Sequence, residues 1–185
     1  MTIRQLKLNA NLKHIDLTEG QQFKPEFFKS FAYRSLLSNN GLVIWESRAI
    51  IQYLCNHYTT DSGLYPICAK KRAFVDFYIN IDFGLGTTID KFLFCKFEKC
   101  VDTPPDEMTK FKEVLQVLDQ LIGDKAYLTG NELTIADRSL LATTVYIKWC
   151  EIIDFNDFPN LQRWDSWLMS ELPYYKEIND IPREN

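Results

Sequence analysis

The stretch GLVIWESRAIIQYLCNHY, residues 41–58, decides the fold of the first part of the chain. Its first residues are apolar and of strand length, and the rest repeats apolar residues with the spacing of an amphipathic helix. Glu46 and Ser47 stand where the strand ends and the helix begins. The pattern predicts a buried strand that runs directly into a helix, with Ser47 as the residue that caps this helix.

This junction is a candidate binding site for a small zwitterion. The first N–H groups of a helix have no partner within it and lie at the positive end of the helix dipole, so a carboxylate or phosphate is stabilised there. Ser47 can add its hydroxyl, and the Glu46 carboxylate can hold an ammonium group. Together they suit the head group of an amino acid. The alternative is that Ser47 only caps the helix and that Glu46 is solvated.

Composition indicates an ordinary globular chain of one large or two small domains. It has 185 residues, of which 46% are hydrophobic and 25% charged, and its net charge is −4. We expect no nucleic-acid partner, because there is no basic field, and no membrane span or secretory signal. The chain has five irregularly spaced cysteines and two histidines, so we expect reduced thiols in the cytoplasm and no metal site.

Turn residues predict how the chain is divided. The sequence Asn-Asn-Gly at 39–41 predicts a hairpin turn that leads into a strand at 42–45. Before it, residues 12–17 have the length of a strand, and residues 25–29 are compatible with a short helix that opens at a proline. Residues 61–63, Asp-Ser-Gly, predict a linker between domains.

Beyond this linker the pattern is helical. Residues 68–99 predict one long helix with a kink at Gly84 and Gly86, and residues 104–106, Pro-Pro-Asp, predict the start of another. The sequence Thr-Ile-Ala-Asp at 134–137 predicts a capping box, in which the hydroxyl and the carboxylate each accept the unpaired N–H of the other residue. The plan is a small α/β unit followed by a larger all-α unit.

Five stretches carry a resemblance to the cytosolic glutathione transferases, most closely to the insect delta and epsilon classes. They are NLKHIDLTEGQQFKPEFFK at 11–29, NGLVIWESRAIIQYL at 40–54, LYP at 64–66, LTIAD at 133–137 and FPNLQRW at 158–164. The resemblance implies an α/β thioredoxin-like N-terminal domain over residues 1–62, incomplete because its first strand is missing. It also implies an all-helical C-terminal domain over residues 63–185.

The same resemblance implies a function. The N-terminal domain would bind glutathione as co-substrate, and the chain would conjugate it to small apolar electrophiles in detoxification, as a cytoplasmic homodimer. Glu46 and Ser47 would hold the γ-glutamyl head of glutathione, and Arg48 would assist at the glycyl side or across the dimer interface. Asp82 stands where family members place a carboxylate near the neighbouring subunit's glutathione. The alternative for Asp82 is an exposed helical carboxylate.

Further residues match or depart from the family in the helical part. Thr134 and Asp137 match its capping box, while Arg138 replaces an aliphatic residue, at an expected cost of a few tenths to about 1 kcal/mol. Several apolar residues are expected to belong either to the core or to the wall of the hydrophobic site. These are Phe83, Ile89, Phe92, Phe94, Tyr146 and Trp149.

Two departures bear on activity. Met1 aligns inside the first helix of the family, so the catalytic serine would lie upstream, and we expect no catalytic residue in this chain. Residues 30–39 contain no proline, where the family has a cis-proline loop that contacts the cysteinyl part of glutathione. We therefore expect impaired turnover and a loosened N-terminal domain, in which residues 3–8 could partly fill the gap of the missing strand or remain a damaged helix. The alternatives are a non-catalytic binding or dimerisation module and a degraded gene product.

Overall fold

The computed structural model describes residues 1–15, 19–21, 35–59, 63–93, 104–149, 151 and 153–179. The chain divides into two units, Thr2–Thr60 and Asp61–Asn185, and Met1 groups with the second. The first unit contains α1 (Thr2–Gln5), β1 (Leu36–Asn39), β2 (Leu42–Trp45) and α2 (Ser47–Tyr58). The second contains α3 (Ala69–Leu93), α4 (Pro105–Ile122), α5 (Ile135–Trp149), a 3-10 helix (Phe155–Asp157), α6 (Pro159–Glu171) and α7 (Tyr175–Asn179).

The two strands form the predicted hairpin. They pair antiparallel, with Leu36 opposite Trp45 and Asn39 opposite Leu42. The loop residues Asn40 and Gly41 have φ values of 47° and 86°. Positive φ at both loop positions gives the turn a twist that matches the right-handed twist of the strands. The hairpin turn predicted from the Asn-Gly pair is therefore confirmed.

The prediction that residues 42–45 form a buried strand is wrong with respect to burial. Leu42, Val43 and Trp45 are 38%, 42% and 37% exposed. The reason is tertiary, because the sheet of the described residues has two strands, and α2 contacts both of them. Adjacent residues of a strand point to opposite faces, so in so small a sheet apolar side chains on both faces keep part of their surface in water.

Helix α2 is attached to the hairpin by both apolar and polar contacts. Leu54 and Cys55 are buried on its inner face. At the end of β1, the Asn39 side-chain amide donates to the hydroxyls of Tyr53 (3.0 Å) and Tyr58 (2.9 Å). The amide thus holds the last two turns of α2 against the turn end of the hairpin.

The other predictions for the first unit fail or lie outside the described residues. Residues 3–8 form no strand, because the chain is helical through Gln5 and then turns, with Leu8 N–H bonded to the Ile3 carbonyl at 3.1 Å. The described part of the predicted strand at 12–17, residues 12–15, has no regular secondary structure. The helix predicted at 25–29 and most of the loop at 30–39 lie outside the described residues.

In the second unit, α3 continues through both glycines at which a kink was predicted and is described as far as Leu93. Residues 94–99 of the predicted helix lie outside the description. Helix α3 packs against α5, and Asp82 lies between them with no exposed surface. Asp82 accepts hydrogen bonds from the hydroxyls of Ser139 (2.5 Å) and Thr143. The prediction of an exposed carboxylate is therefore wrong, while the position of Asp82 near a neighbouring subunit's glutathione stays a prediction.

Asp119 is a second carboxylate that joins two helices by hydrogen bonds, in this case α4 and α6. Its carboxylate accepts the Leu161 N–H at 2.8 Å and the Asn160 side-chain amide at 2.9 Å. The residue before α6, Phe158, makes no side-chain capping bond, so α4 supplies the cap for the N-terminus of α6. No helix in the described ranges is long and apolar enough to span a membrane.

Candidate functional site

The junction between β2 and α2 has an unusual backbone at Glu46. This residue occupies the cap position of α2 with φ 70° and ψ 108°, and its side chain makes no capping hydrogen bond. The first helical bond runs from the Ile50 N–H to the Glu46 carbonyl at 2.9 Å. Ser47 is therefore the first helical residue, and the prediction that it caps the helix is wrong by one position.

A positive φ at a residue other than glycine is uncommon and costs about 1–3 kcal/mol. Such strain persists where the surrounding structure imposes it, and it clusters at ligand-binding sites. Here the positive φ of Glu46 turns the chain from β2 into α2 at a single residue. Glu46 and Ser47 are both exposed, so the acid and the hydroxyl lie side by side at the helix start.

Arg48 adds a positive charge to the same point. Its guanidinium Nη1 lies 3.4 Å from the Ser47 hydroxyl oxygen, and its side chain is half-buried. The three predicted site residues thus stand together at the N-terminus of a 12-residue helix. This end carries backbone N–H donors and the positive end of the helix dipole, while Glu46 carries the one negative charge of the three residues. The arrangement can receive a carboxylate and an ammonium group together.

The residues predicted for the hydrophobic site separate into two groups. Ile89 and Phe92 are 2% and 4% exposed and belong to the core. Phe83 and Tyr146 are 51% and 49% exposed on α3 and α5, two helices that pack together. Phe94 and the side chain of Trp149 lie outside the described part of the chain. Phe83 and Tyr146 are thus the members of the set available to an apolar ligand.

Asp137 is the centre of a buried hydrogen-bond network at the start of α5. It accepts the N–H of Leu128 at 2.7 Å, the N–H and hydroxyl of Thr134 at 2.9 and 3.0 Å, and the indole N–H of Trp164 at 3.2 Å. Burial raises the pKa of the Asp137 carboxyl above its ordinary value, and the hydrogen bonds act in the opposite direction. The carboxylate half of the predicted capping box is therefore present, with a structural role.

Arg138, next to it, is also inside the helical unit. The residue is 2% exposed, and its Nε donates to the Tyr174 hydroxyl at 3.1 Å. Nη1 and Nη2 have no hydrogen-bond partner among the residues that the structure describes. Leaving a buried donor without an acceptor costs about 1–3 kcal/mol, and more for a charged group, which exceeds the cost predicted from the loss of an aliphatic side chain.

One thiol has chemistry that the sequence pattern did not single out. Cys68 precedes α3 and is exposed. Backbone N–H groups of Lys71 and Lys70 bond to its sulfur and lower the pKa of the Cys68 thiol. The position of Cys68 directly before a predicted helix is the sequence feature that could have indicated a lowered thiol pKa. Within the described ranges, no three histidine, cysteine or carboxylate side chains form a group that could hold a metal.

Comparison with known proteins places both units in one family. Residues 74–171 match the family model described as Glutathione S-transferase, C-terminal domain, and residues 1–56 match Glutathione S-transferase, N-terminal domain. The chain belongs to the glutathione S-transferase family. It is 34% identical over 168 residues to Glutathione S-transferase D7 of Drosophila melanogaster. The aligned residues cover 89% of this chain and 75% of the relative.

Solved structures of insect glutathione transferases resemble the chain throughout. A delta-class enzyme of Nilaparvata lugens is 32% identical with a TM-score of 0.89, covering 97% of this chain and 85% of that one. An epsilon-class enzyme of Musca domestica is 28% identical with a TM-score of 0.85, covering 97% and 84%. A homologue from a Drosophila species, solved with bound glutathione, is 28% identical with a TM-score of 0.85, covering 95% and 82%.

These similarities confirm the predicted family, with its insect delta and epsilon classes. They also confirm a thioredoxin-like N-terminal domain, here with a sheet of two strands among the described residues, followed by an all-helical C-terminal domain. The roles of Glu46, Ser47 and Arg48 in ligand binding stay predictions.

Proposed function

We propose that this glutathione S-transferase binds glutathione at the start of α2 and conjugates it to small apolar electrophiles. The observation that carries the proposal is the exposed Glu46–Ser47 pair at a strained junction, directly on a helix N-terminus. In this proposal residues 1–62 form the glutathione-binding domain and residues 63–185 carry the electrophile.

Each end of the γ-glutamyl head has a complementary group at this junction. Its ammonium group would lie against the Glu46 carboxylate. Its α-carboxylate would accept hydrogen bonds from the Ser47 hydroxyl and from the backbone N–H groups of the first helical turn. Arg48 would attract the glycyl carboxylate, either of the same glutathione or of one bound across a homodimer interface.

The reaction would be a nucleophilic substitution or addition at carbon. The glutathione thiol gives its proton to solvent, and the thiolate sulfur forms a bond to the electrophilic carbon. In a substitution a leaving group departs with its electron pair, and in an addition the displaced electron pair of the carbon–carbon double bond takes up a proton from solvent. Phe83 and Tyr146 are exposed aromatic side chains on packed helices, which supports them as part of the electrophile's surface. Their replacement by alanine should raise KM for the electrophile and leave KM for glutathione unchanged.

We propose that turnover is low, because residues 30–39 contain no proline in the loop that would contact the cysteinyl part. A pH profile of kcat/KM tests this. A free thiol titrates near pH 8.5, so a rate that rises through about this pH means that the protein does little to activate the sulfur. A plateau reached near neutral pH would contradict the proposed impairment.

Retention on immobilised glutathione, followed by a conjugation assay with a model aryl halide, tests the main proposal. We expect the wild type to be retained and Glu46→Gln and Ser47→Ala to elute early. The matched controls Glu113→Gln and Ser166→Ala change exposed side chains in the helical unit and should behave as wild type. Retention without turnover would favour a binding module, and no retention together with a non-cooperative melt would favour a degraded product.

We also propose that the chain forms a homodimer. The family resemblance implies one, and α3 exposes Phe74 (55%) and Phe77 (47%) at positions three residues apart. Exposed apolar side chains on one helix face are typical of interaction surfaces. Sedimentation equilibrium should give twice the chain mass of 21.7 kDa, and a shift to monomer is expected for Phe74→Glu.

A further inference from the structure

The turn between β1 and β2 contains the one asparagine of the chain that is followed by a glycine. Asn40 and Gly41 are both exposed, and a Cβ placed on Gly41 would meet no atom of another part of the structure within 4 Å. The backbone nitrogen of Gly41 and the side-chain amide carbon of Asn40 are therefore both accessible. A bond between these two atoms closes a five-membered succinimide ring.

The preceding asparagine provides a contrast within the same hairpin. The Asn39 side-chain amide donates to the hydroxyls of Tyr53 (3.0 Å) and Tyr58 (2.9 Å). Neither the Asn40 side chain nor the Gly41 N–H has a hydrogen bond among the described residues. In addition, the nitrogen that follows Asn39 belongs to Asn40, whose side chain hinders its approach. Asn40 is thus the asparagine of this pair that has both reacting groups available.

The φ angle of Asn40 already has the sign and size that ring closure requires. The ring needs the Gly41 nitrogen in one plane with the Cβ of Asn40. This plane corresponds to a ψ of about −120° at Asn40, and a type II′ turn combines that ψ with a φ of about +60° at its first loop residue. Asn40 has a φ of 47°, so ψ is the angle that must change.

Glycine at position 41 permits this change while the strands stay paired. With φ values of 47° and 86°, the loop has the positive angles of a type I′ turn. Types I′ and II′ are both two-residue hairpin loops, and they interconvert when the peptide between Asn40 and Gly41 flips. The flip takes Gly41 from positive to negative φ, and glycine adopts both signs about equally well.

We propose that Asn40 deamidates in the folded protein, through a succinimide that closes in the type II′ form of the turn. The Gly41 nitrogen bonds to the Cγ of Asn40 and gives its proton to solvent. The side-chain nitrogen takes up a proton and leaves as ammonia. Water then opens the ring, at Cγ to give aspartate or at the backbone carbonyl carbon to give isoaspartate. The reaction is independent of glutathione binding.

The two products affect the hairpin differently. Aspartate tolerates a positive φ and should keep the turn. In isoaspartate the main chain runs through the side chain, which adds one carbon to the loop and disturbs the pairing of Asn39 with Leu42. The isoaspartate form should therefore have a weaker hairpin.

Incubation of the full chain at mildly alkaline pH, followed by tryptic peptide mass spectrometry, tests the proposal. One tryptic peptide, residues 35–48, contains both asparagines. We expect its mass to increase by about 1 Da, as ammonia is lost and water gained, with fragment ions that place the change at Asn40. Because the turn need not unfold, the folded chain should react within about tenfold of the rate of the same chain in guanidinium chloride.

Asn39 is the internal control and should keep its mass. A folded chain that reacts more than about tenfold more slowly than the unfolded chain would overturn the proposal, because closure would then require the hairpin to unfold. Conversion at Asn39 that equals conversion at Asn40 would overturn it as well.

A second measurement detects the ring itself in the native protein. Hydroxylamine cleaves a succinimide, so it should cut the folded wild type between residues 40 and 41. The variant Asn40→Gln keeps an amide but would have to close a six-membered ring, and it should lose both the cleavage and the mass increase. A wild type that is not cut, or a cut that persists in Asn40→Gln, would contradict the proposal.

Discussion

Replacing Asp137 by alanine should remove a large part of the stability of the helical unit. The change leaves three buried N–H donors, on Leu128, Thr134 and Trp164, without their acceptor. An unpaired buried donor costs about 1–3 kcal/mol, so the gross loss is about 3–9 kcal/mol. The carboxylate is itself costly to bury, which offsets part of this loss, and we expect a net loss of about 3–5 kcal/mol.

Urea unfolding followed by helical circular dichroism measures this loss. For a chain of this size the same loss corresponds to a decrease of about 6–20 °C in the midpoint of thermal unfolding. The matched control is Asp124→Ala, which removes an exposed carboxylate just beyond α4 and should change stability by less than about 0.5 kcal/mol. Equal effects of the two substitutions would refute the assignment of Asp137 as the centre of the network.

The pH dependence gives an independent test of the same residue. Because the folded-state pKa of Asp137 lies above the ordinary value of 3.8, the folded protein binds the proton more tightly than the unfolded chain does. The contribution of this group is therefore greatest below about pH 4 and decreases as the pH rises through the raised pKa. Asp137→Asn should remove this decrease of stability with rising pH. A pH profile of stability that is the same in the variant and the wild type would contradict the role of Asp137.

Three further predictions concern other parts of the fold. Gly41→Ala places a side chain at φ 86° and should destabilise the hairpin by about 1 kcal/mol. Asn40→Gly, at φ 47°, should be nearly neutral. Chemical denaturation of the two variants compares their free energies of unfolding. Asp119→Ala should lower the free energy of unfolding by about 2–3 kcal/mol, because the Leu161 N–H at the start of α6 loses its acceptor. Hydrogen exchange of the Leu161 amide should become faster in this variant. Limited proteolysis should cut Thr2–Thr60 before the helical unit, because its sheet has two described strands, and equal resistance of both units would contradict this.

The elements that depend on local chemistry could be predicted from the sequence. The Asn-Gly pair at 40–41 requires no distant contact to form its turn, and the hairpin is as predicted. The burial of Leu42, Val43 and Trp45 depends on what covers the sheet, which an apolar run does not specify. The cap of α2 is Glu46, one residue before the predicted Ser47, because no pattern of residue types indicates a positive φ at a glutamate.

The burial of Asp82 could have been inferred from the spacing of apolar residues along α3. Tyr78, Leu85 and Ile89 are buried on α3, and Asp82 occupies the same stripe at helical spacing. A carboxylate on a core stripe requires buried donors, and Ser139 and Thr143, four residues apart on α5, supply them. Burial could be inferred in this way, but the identity of the donors required the packing of the two helices.

In the proposed glutathione site, Glu46 receives the ammonium group of glutathione. Isothermal titration should compare glutathione with its glutaryl analogue, which lacks only that ammonium group, on the wild type and on Glu46→Gln. A hydrogen bond between charged groups is worth about 1.5–3 kcal/mol, so we expect the wild type to prefer glutathione by about tenfold or more. Glu46→Gln should lose most of this preference; a preference that is the same in both proteins would contradict the claim.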